Sequence, residues 1–295
     1  MELQLRRKVM IDTAPRTILV SGATGQQGGA VARHLLDKNF RVRTLTRDPE
    51  QQAARALAAE GADVVAGNFD DAGSLDQALD GAYGAYSVQN FWKSGLEGEI
   101  RQGKAFAEAA GRASVEHFVY SSVGGAERET GISHFDSKWE IEEHILKLGL
   151  AATILRPVYF MDNWMNFKDA IVGGQLPQPL DPDTPLQQIA VDDIGAFAAL
   201  AFANPAKWIG RSAEIAGDEL TMTEMAETFG RVIGRKVEYV QLPWDTFEEQ
   251  AGGEVTPMYR WFQSDGYEAD IKALREEYPQ LTRLESFLRA KSFGS

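Results

Sequence analysis

The chain has 295 residues, 44% of them hydrophobic and 25% charged, enough to bury one large or two modest cores. Thirty Lys and Arg stand against 43 Asp and Glu, a formal charge of −13, so a phosphate backbone is repelled and direct nucleic-acid binding is not expected. There is no cysteine, which excludes disulfides, thiolate metal sites and a cysteine nucleophile, and no apolar run of membrane-spanning length.

Residues 1–16 carry Arg6, Arg7 and Lys8 with no apolar signal core behind them, and read as an N-terminal extension of a cytoplasmic protein. From Thr17 onward, β-branched runs alternate with stretches of helical period: strand 17–21, helix 26–37, strand 41–46, helix 49–60, strand 62–66, helix 73–80 and strand 82–88. A helix near 98–111, a strand at 117–121, a helix near 136–148 and a strand at 151–156 follow, the last ended by Pro157. Such alternation predicts an α/β fold, a Rossmann-type doubly wound parallel sheet of six strands. Beyond Pro157 a Pro/Gly/Asp-rich stretch at 173–185 and several aromatic residues mark a smaller, less regular C-terminal lobe, with helices at 193–202, 222–233 and 284–291. The expected division is 17–157 for the Rossmann unit, with 186–216 returning to it, and 158–185 with 217–295 for the smaller substrate or partner lobe.

The first strand runs into Gly22-Ala23-Thr24-Gly25-Gln26-Gln27-Gly28-Gly29, which opens a helix. Glycines at 22, 25 and 28 allow a tight turn and close backbone approach to a pyrophosphate, while a helix N-terminus offers free N–H groups and partial positive charge. A strand before and a helix after make dinucleotide binding the expectation, ahead of a βα turn that uses glycine for backbone geometry alone. At the end of the second strand, Thr46-Arg47 places a cation where NAD sites usually have an acid, which favours NADP(H) over NAD(H). The neighbouring Asp48 reads as the cap of helix 49–60. After the third strand, Asn68, Phe69 and Asp70 stand where polar groups meet an adenine, although Asp70 or Asp71 equally suits the cap of the next helix.

These segments, together with Val119-Tyr120-Ser121-Ser122, His134-Phe135-Asp136-Ser137-Lys138, Leu155-Arg156-Pro157 and Gly266-Tyr267-Glu268-Ala269-Asp270-Ile271, resemble the NmrA-like group of atypical short-chain dehydrogenases/reductases. Within it, the His-Phe-Asp-x-Lys run and Gln89-Asn90-Phe91-Trp92 look most like the HSCARG-like NADPH sensors. The resemblance implies a pyrophosphate at Thr24–Gly28, a 2′-phosphate at Arg47, and a nicotinamide end near Gln89, Asn90, Lys138, Pro157, Tyr159 and Phe160. The sensors carry several basic residues after the arginine, where this chain has Glu50, Gln51 and Gln52, so the preference for NADP(H) rests on Arg47.

Catalytic short-chain dehydrogenases use Tyr-x-x-x-Lys, and no lysine here has a tyrosine four residues before it. His134 precedes Lys138 by that spacing. Lys138 reads as the ammonium held against the cofactor ribose, or as one partner of Glu142 four residues on. His134 is able to move a proton at neutral pH, though a lone histidine at a helix start is more commonly a surface or capping residue. Ser121 and Ser122 stand where relatives orient a substrate carbonyl, and equally suit satisfying a loop backbone group.

Phe91, Trp92, Trp164 and Trp261, with Ser121 and Ser122, are the expected lining of an apolar substrate cavity; the alternative places each ring in the core of a small lobe. The four histidines, His34, His117, His134 and His144, show no metal-ligand spacing, and no G-x-S-x-G elbow of a serine hydrolase is present. The expectation is an NADP(H)-dependent reductase of a hydrophobic aromatic, quinone or enone-like molecule, with Lys138 and His134 as its catalytic residues. The alternative is a noncatalytic NADPH/NADP+ redox sensor acting through a regulatory protein partner. A homodimer is expected, and neither a membrane nor a metal is.

Overall fold

The computed structural model describes residues 15–294, so the first fourteen residues of the expected extension lie outside the described residues. Eleven elements alternate in the first part of the chain: β1 (Thr17–Val20), α1 (Gln26–Asp37), β2 (Arg41–Thr46), α2 (Gln52–Ala59), β3 (Asp63–Ala66), α3 (Ala72–Leu79), β4 (Gly84–Ser87), α4 (Phe91–Arg112), β5 (His117–Ser121), α5 (Ser133–Lys147) and β6 (Ala152–Pro157). There follow β7 (Tyr159–Phe160), α6 (Lys168–Val172), β8 (Gln175–Gln178), β9 (Pro185–Ile189), α7 (Val191–Ala203), α8 (Pro205–Trp208) and β10 (Ser212–Ile215). The chain closes with β11 (Asp218–Thr221), α9 (Met222–Ile233), β12 (Glu238–Gln241), α10 (Trp244–Ala251), α11 (Thr256–Ser264), α12 (Ile271–Glu277) and α13 (Leu284–Ala290).

Seven strands form one parallel sheet in the order β10-β6-β5-β4-β1-β2-β3, the doubly wound arrangement expected, with one strand more. The seventh, β10, is only four residues long, and its Ser-Ala-Glu-Ile run has too little apolar character to announce a strand. Alternation along β1 sorts the two faces. Ile18 and Val20 pack with Val31 and Leu35 of α1 and Phe197 and Phe202 of α7, whereas Leu19 packs with Leu75 of α3, Phe106 of α4 and Ile141 of α5. α1 and α7 approach closely because Gly195 has no Cβ; one built there would lie 2.7 Å from the backbone of Ala30.

The lobe is held by a third cluster in which Trp164, Phe229, Tyr259, Phe262 and Leu288 surround each other. Its small sheets are β11-β9-β7 and β12-β8, and β8 lies inside the Pro/Gly/Asp-rich stretch expected to be irregular. Among the described residues no helix is long and apolar enough to cross a membrane.

Two local expectations are corrected. α2 begins at Gln52 because Asp48 accepts from the N–H of Glu50 (2.9 Å) in a tight turn instead of capping the helix. α4 begins at Phe91 with one turn, then breaks at Gly95 (φ 68°, ψ 179°), a conformation open only to glycine, and runs on to Arg112.

Two buried titratable groups set opposing pH dependences. Asp193, in the first turn of α7 and 1% exposed, accepts from the N–H (2.9 Å) and hydroxyl (3.1 Å) of Thr282, tying the segment before α13 to the head of α7. Burial pushes its carboxyl up to about 6, so the stability linked to its protonation is present in full below the usual carboxylate range and is lost as pH rises through about 6. Burial moves the His117 imidazole down to about 4; its contribution is present above the usual imidazole range and is lost as pH falls towards about 4. Asp193→Asn keeps the shape and removes the first dependence alone. Relative to the wild type it should gain stability above about pH 7 compared with below about pH 4, by on the order of 2–3 kcal/mol, read from thermal melts at both ends.

Candidate functional site

The site is built on the carboxyl edge of the sheet, starting where β1 turns into α1. Gly22 adopts φ 62°, and a Cβ on Gly28 would lie 2.4 Å from the backbone carbonyl of Gly22 and 2.6 Å from that of Ser21. Backbone therefore rests on backbone, and the N-terminus of α1 sits directly against the end of β1. The first helical N–H groups, from Gln26 to Gly28, have no intrahelical acceptor, Gly25 offers no capping side chain, and no acid stands in the first turn. Such an arrangement accepts an anion.

The turn is tied sideways to the neighbouring strands. Ser21 Oγ accepts from the N–H of Val88 (2.9 Å), just past β4. Gln27 Oε1 accepts from Ser121 Oγ (2.7 Å) at the end of β5 and from the Tyr86 hydroxyl (3.2 Å) of β4. The Gln27 side chain and the Ser121 hydroxyl thus hold the sheet edge together, while Thr24 and Gln26 remain on the outer side of the turn, half-buried and exposed respectively.

At the end of β2, Arg47 is exposed and forms no ion pair or side-chain hydrogen bond with any described residue. Thr46 beneath it is buried, its hydroxyl accepting from Gln51 Nε2 (2.7 Å). After β3, Asn68 Oδ1 accepts from the N–H of Asp70 (2.6 Å), Asp71 caps α3, Phe69 packs edge-on against Phe106, and Asp70 pairs with Arg101 (3.1 Å).

On the far side of the turn, Gln89 follows β4 with its side chain buried. Its amide nitrogen donates to Ser87 Oγ (3.0 Å), and its carbonyl oxygen has no donor. Asn90 caps the first turn of α4 by accepting from the N–H of Lys93. That turn presents Phe91 and Trp92, the latter 62% exposed, and both rings pack on His134 at 5.5 and 5.4 Å between centroids. His134 is 8% exposed, and no side chain caps α5 there, so it is neither a surface residue nor a cap. Its imidazole is pushed below the usual range chiefly by burial, with the Lys138 ammonium adding to that and the Glu254 and Glu99 carboxylates opposing it.

Lys138, one turn further along α5, does not meet Glu142. Its ammonium lies 2.6 Å from Glu99 of α4, a carboxylate with no exposed surface that also accepts from Ser137 Oγ. Glu142 is likewise buried and pairs with Arg156 of β6 (2.7 Å), and Ser122 is buried beside it. Pro157 ends β6; Phe160 is half-buried, and the Tyr159 hydroxyl meets that of Tyr259 at 3.2 Å inside the lobe. Trp164 is packed in the lobe core, its indole N–H donating to Gln188 (2.8 Å). Trp261 lies over Gly125 and Phe135, so α11 folds the lobe onto the loop after β5.

Sequence reasoning missed Glu99 and Glu254. Each reads as one solvated acid among many, and no local signal separates them from the rest. Among the described residues no three His, Cys, Asp or Glu side chains gather to hold a metal ion.

The chain belongs to the NmrA-like family, whose pattern matches residues 14–288. It is 30% identical to the NmrA-like family domain-containing oxidoreductase FrzB of Cladobotryum, over 78% of each chain. Among solved structures it shares its fold with Citrobacter triphenylmethane reductase complexed with NADP(H) (22% identity, TM-score 0.79, 93% of this chain and 99% of that one). It shares it equally with NmrA, a negative transcriptional regulator, in complex with NAD (21% identity, TM-score 0.78, 94% and 95%).

The close contact at residue 28 yields a prediction. Gly28→Ala forces α1 off the end of β1, because the clash is with backbone that has no rotamer to escape into; a melting experiment should show a loss of about 1–3 kcal/mol or more. Anion binding at the turn should be lost with it.

Proposed function

We propose that this protein is an NADP(H)-dependent reductase that transfers hydride to a flat, apolar small molecule. The observation that carries the proposal is the joint placement of a bare helix N-terminus, the unengaged guanidinium of Arg47 and the fixed ammonium of Lys138 along one sheet edge. The residues present suit a dinucleotide: the turn admits a pyrophosphate against backbone N–H groups, Arg47 suits a 2′-phosphate, and the buried Gln89 carbonyl oxygen lacks the donor that a carboxamide or ribose hydroxyl supplies. Thr46, Asn68, Phe69 and Asp70 would flank the adenosine, and Asn90, Pro157, Tyr159 and Phe160 the nicotinamide end.

When bound, the nicotinamide supplies a hydride. Lys138, held 2.6 Å from the buried Glu99 carboxylate, orients the ribose. Phe91 and Trp92 offer an aromatic face on which a planar substrate stacks, with His134 behind them as the proton donor. Trp261 backs that face through Phe135, which packs on His134, whereas Trp164 and Ser122 stay in the lobe core and beside Glu142. A triphenylmethane reductase among the fold neighbours and an oxidoreductase among the relatives support the same reaction class.

Calorimetry with NADPH and NADH tests the cofactor. Arg47→Ala should weaken NADPH binding by about tenfold or more, the loss of a charge-assisted contact, with little change for NADH. Turnover is tested with a panel of quinones, aromatic ketones, enones and cationic dyes. Substrate-dependent loss of reduced-nicotinamide absorbance is expected; binding of NADPH with no turnover of any compound overturns the reductase and leaves the redox sensor.

A further inference from the structure

The second lobe places one of its carboxylates against the imidazole that stands four residues before Lys138. Glu254, in the loop between α10 and α11, points both oxygens at the first two residues of α5. Oε1 lies 3.5 Å from His134 Nδ1, and Oε2 accepts from Ser133 Oγ at 3.4 Å. The partial positive charge of the α5 N-terminus, which has no capping side chain of its own, holds the carboxylate there. With Nδ1 directed at Glu254, the other ring nitrogen, Nε2, has no hydrogen-bond partner among the described residues. Phe91, Trp92 and Phe135 pack the ring on its sides at 5.0–5.5 Å.

We propose that Glu254 is a positioning residue for the reduction, fixing the His134 ring through Nδ1 so that Nε2 carries the proton to the substrate oxygen. The proposal rests on the reductase reading above. As the substrate carbon gains the hydride, the carbonyl π pair moves onto oxygen. The Nε2–H bond breaks and an O–H bond forms, giving an alcohol or hydroquinone, and the neutral imidazole regains its proton from water. Three charged groups face His134: Glu254 from the lobe, Lys138 from its own helix and Glu99 from α4. Only the carboxylates favour the imidazolium, so removing Glu254 leaves burial and Lys138 less opposed. A site whose acid is oriented by the second lobe is complete only while that lobe is folded onto the sheet.

Glu254→Gln and Glu254→Asp test this. The chain has four histidines, so the His134 ring proton is assignable by its loss in His134→Gln, and its titration is followed by NMR in cofactor-free protein. Glu254→Gln should move the His134 midpoint to lower pH, and the alkaline limb of kcat should move with it, while KM for NADPH stays as in the wild type. Glu254→Asp should restore most of both. An unmoved midpoint overturns the pairing, and a moved midpoint with an unmoved kcat profile overturns the role in proton delivery. If the wild type binds NADPH but reduces nothing in the panel, the reductase reading itself fails and the proton role falls with it, whatever the titration shows.

Discussion

The approach of Gly28 to the Gly22 and Ser21 carbonyls, so close that it leaves no room for a Cβ, is the constraint on which the sheet edge depends. It brings the start of α1 against the end of β1 with no side chain between them. That closeness lets the Ser21 hydroxyl reach the backbone past β4 and the Gln27 carbonyl reach β5. Three adjacent strand ends are thereby locked to one helix terminus. An anion bound by the free N–H groups would sit at a fixed place relative to everything that follows β4 and β5, including Gln89 and the start of α5.

Buried charge is the second organising force. Glu99, Glu142, Lys138 and Arg156 lie between α4, α5 and β6, where an unpaired ion costs several kcal/mol. Every one of them has a counter-ion within hydrogen-bond distance. α5 contributes to both pairs, with Lys138 turned to α4 and Glu142 turned to β6. The intrahelical Lys138–Glu142 pair is absent for this reason: each side chain finds a partner in the dry interior, where the interaction is stronger than between neighbours on a solvated helix face.

The lobe is fastened to the sheet by Glu214 of β10. Its carboxylate accepts from the N–H groups of Gly125 and Glu268 (2.8 Å each) and pairs with Arg128, whose guanidinium also reaches the carbonyl of Gly266 and lies over Trp261. The same docking brings the segment before α11 to the head of α5. Through it, aromatic residues that are plain core for the lobe lie beside the rim of the candidate site.

Period and punctuation were legible because they are local. The alternation from Thr17 to Pro157, the bounds of α1 and β2, and the bend at Gly22–Gly28 follow from residues that are neighbours in sequence. Where β10 would go, and that Gln27 would spend its side chain on Ser121, were not legible, since each depends on strand order and on how helices roll against the sheet. The burial of His134 reverses what a lone histidine suggests. By itself the sequence determined an α/β sheet with a glycine turn at the first crossover, because backbone freedom and hydrophobic period act over a few residues. Only the tertiary structure decided which acids hold Lys138 and His134. Those partners lie 39 and 120 positions away, and an ion in a dry interior pairs with whatever opposite charge the packing delivers to it.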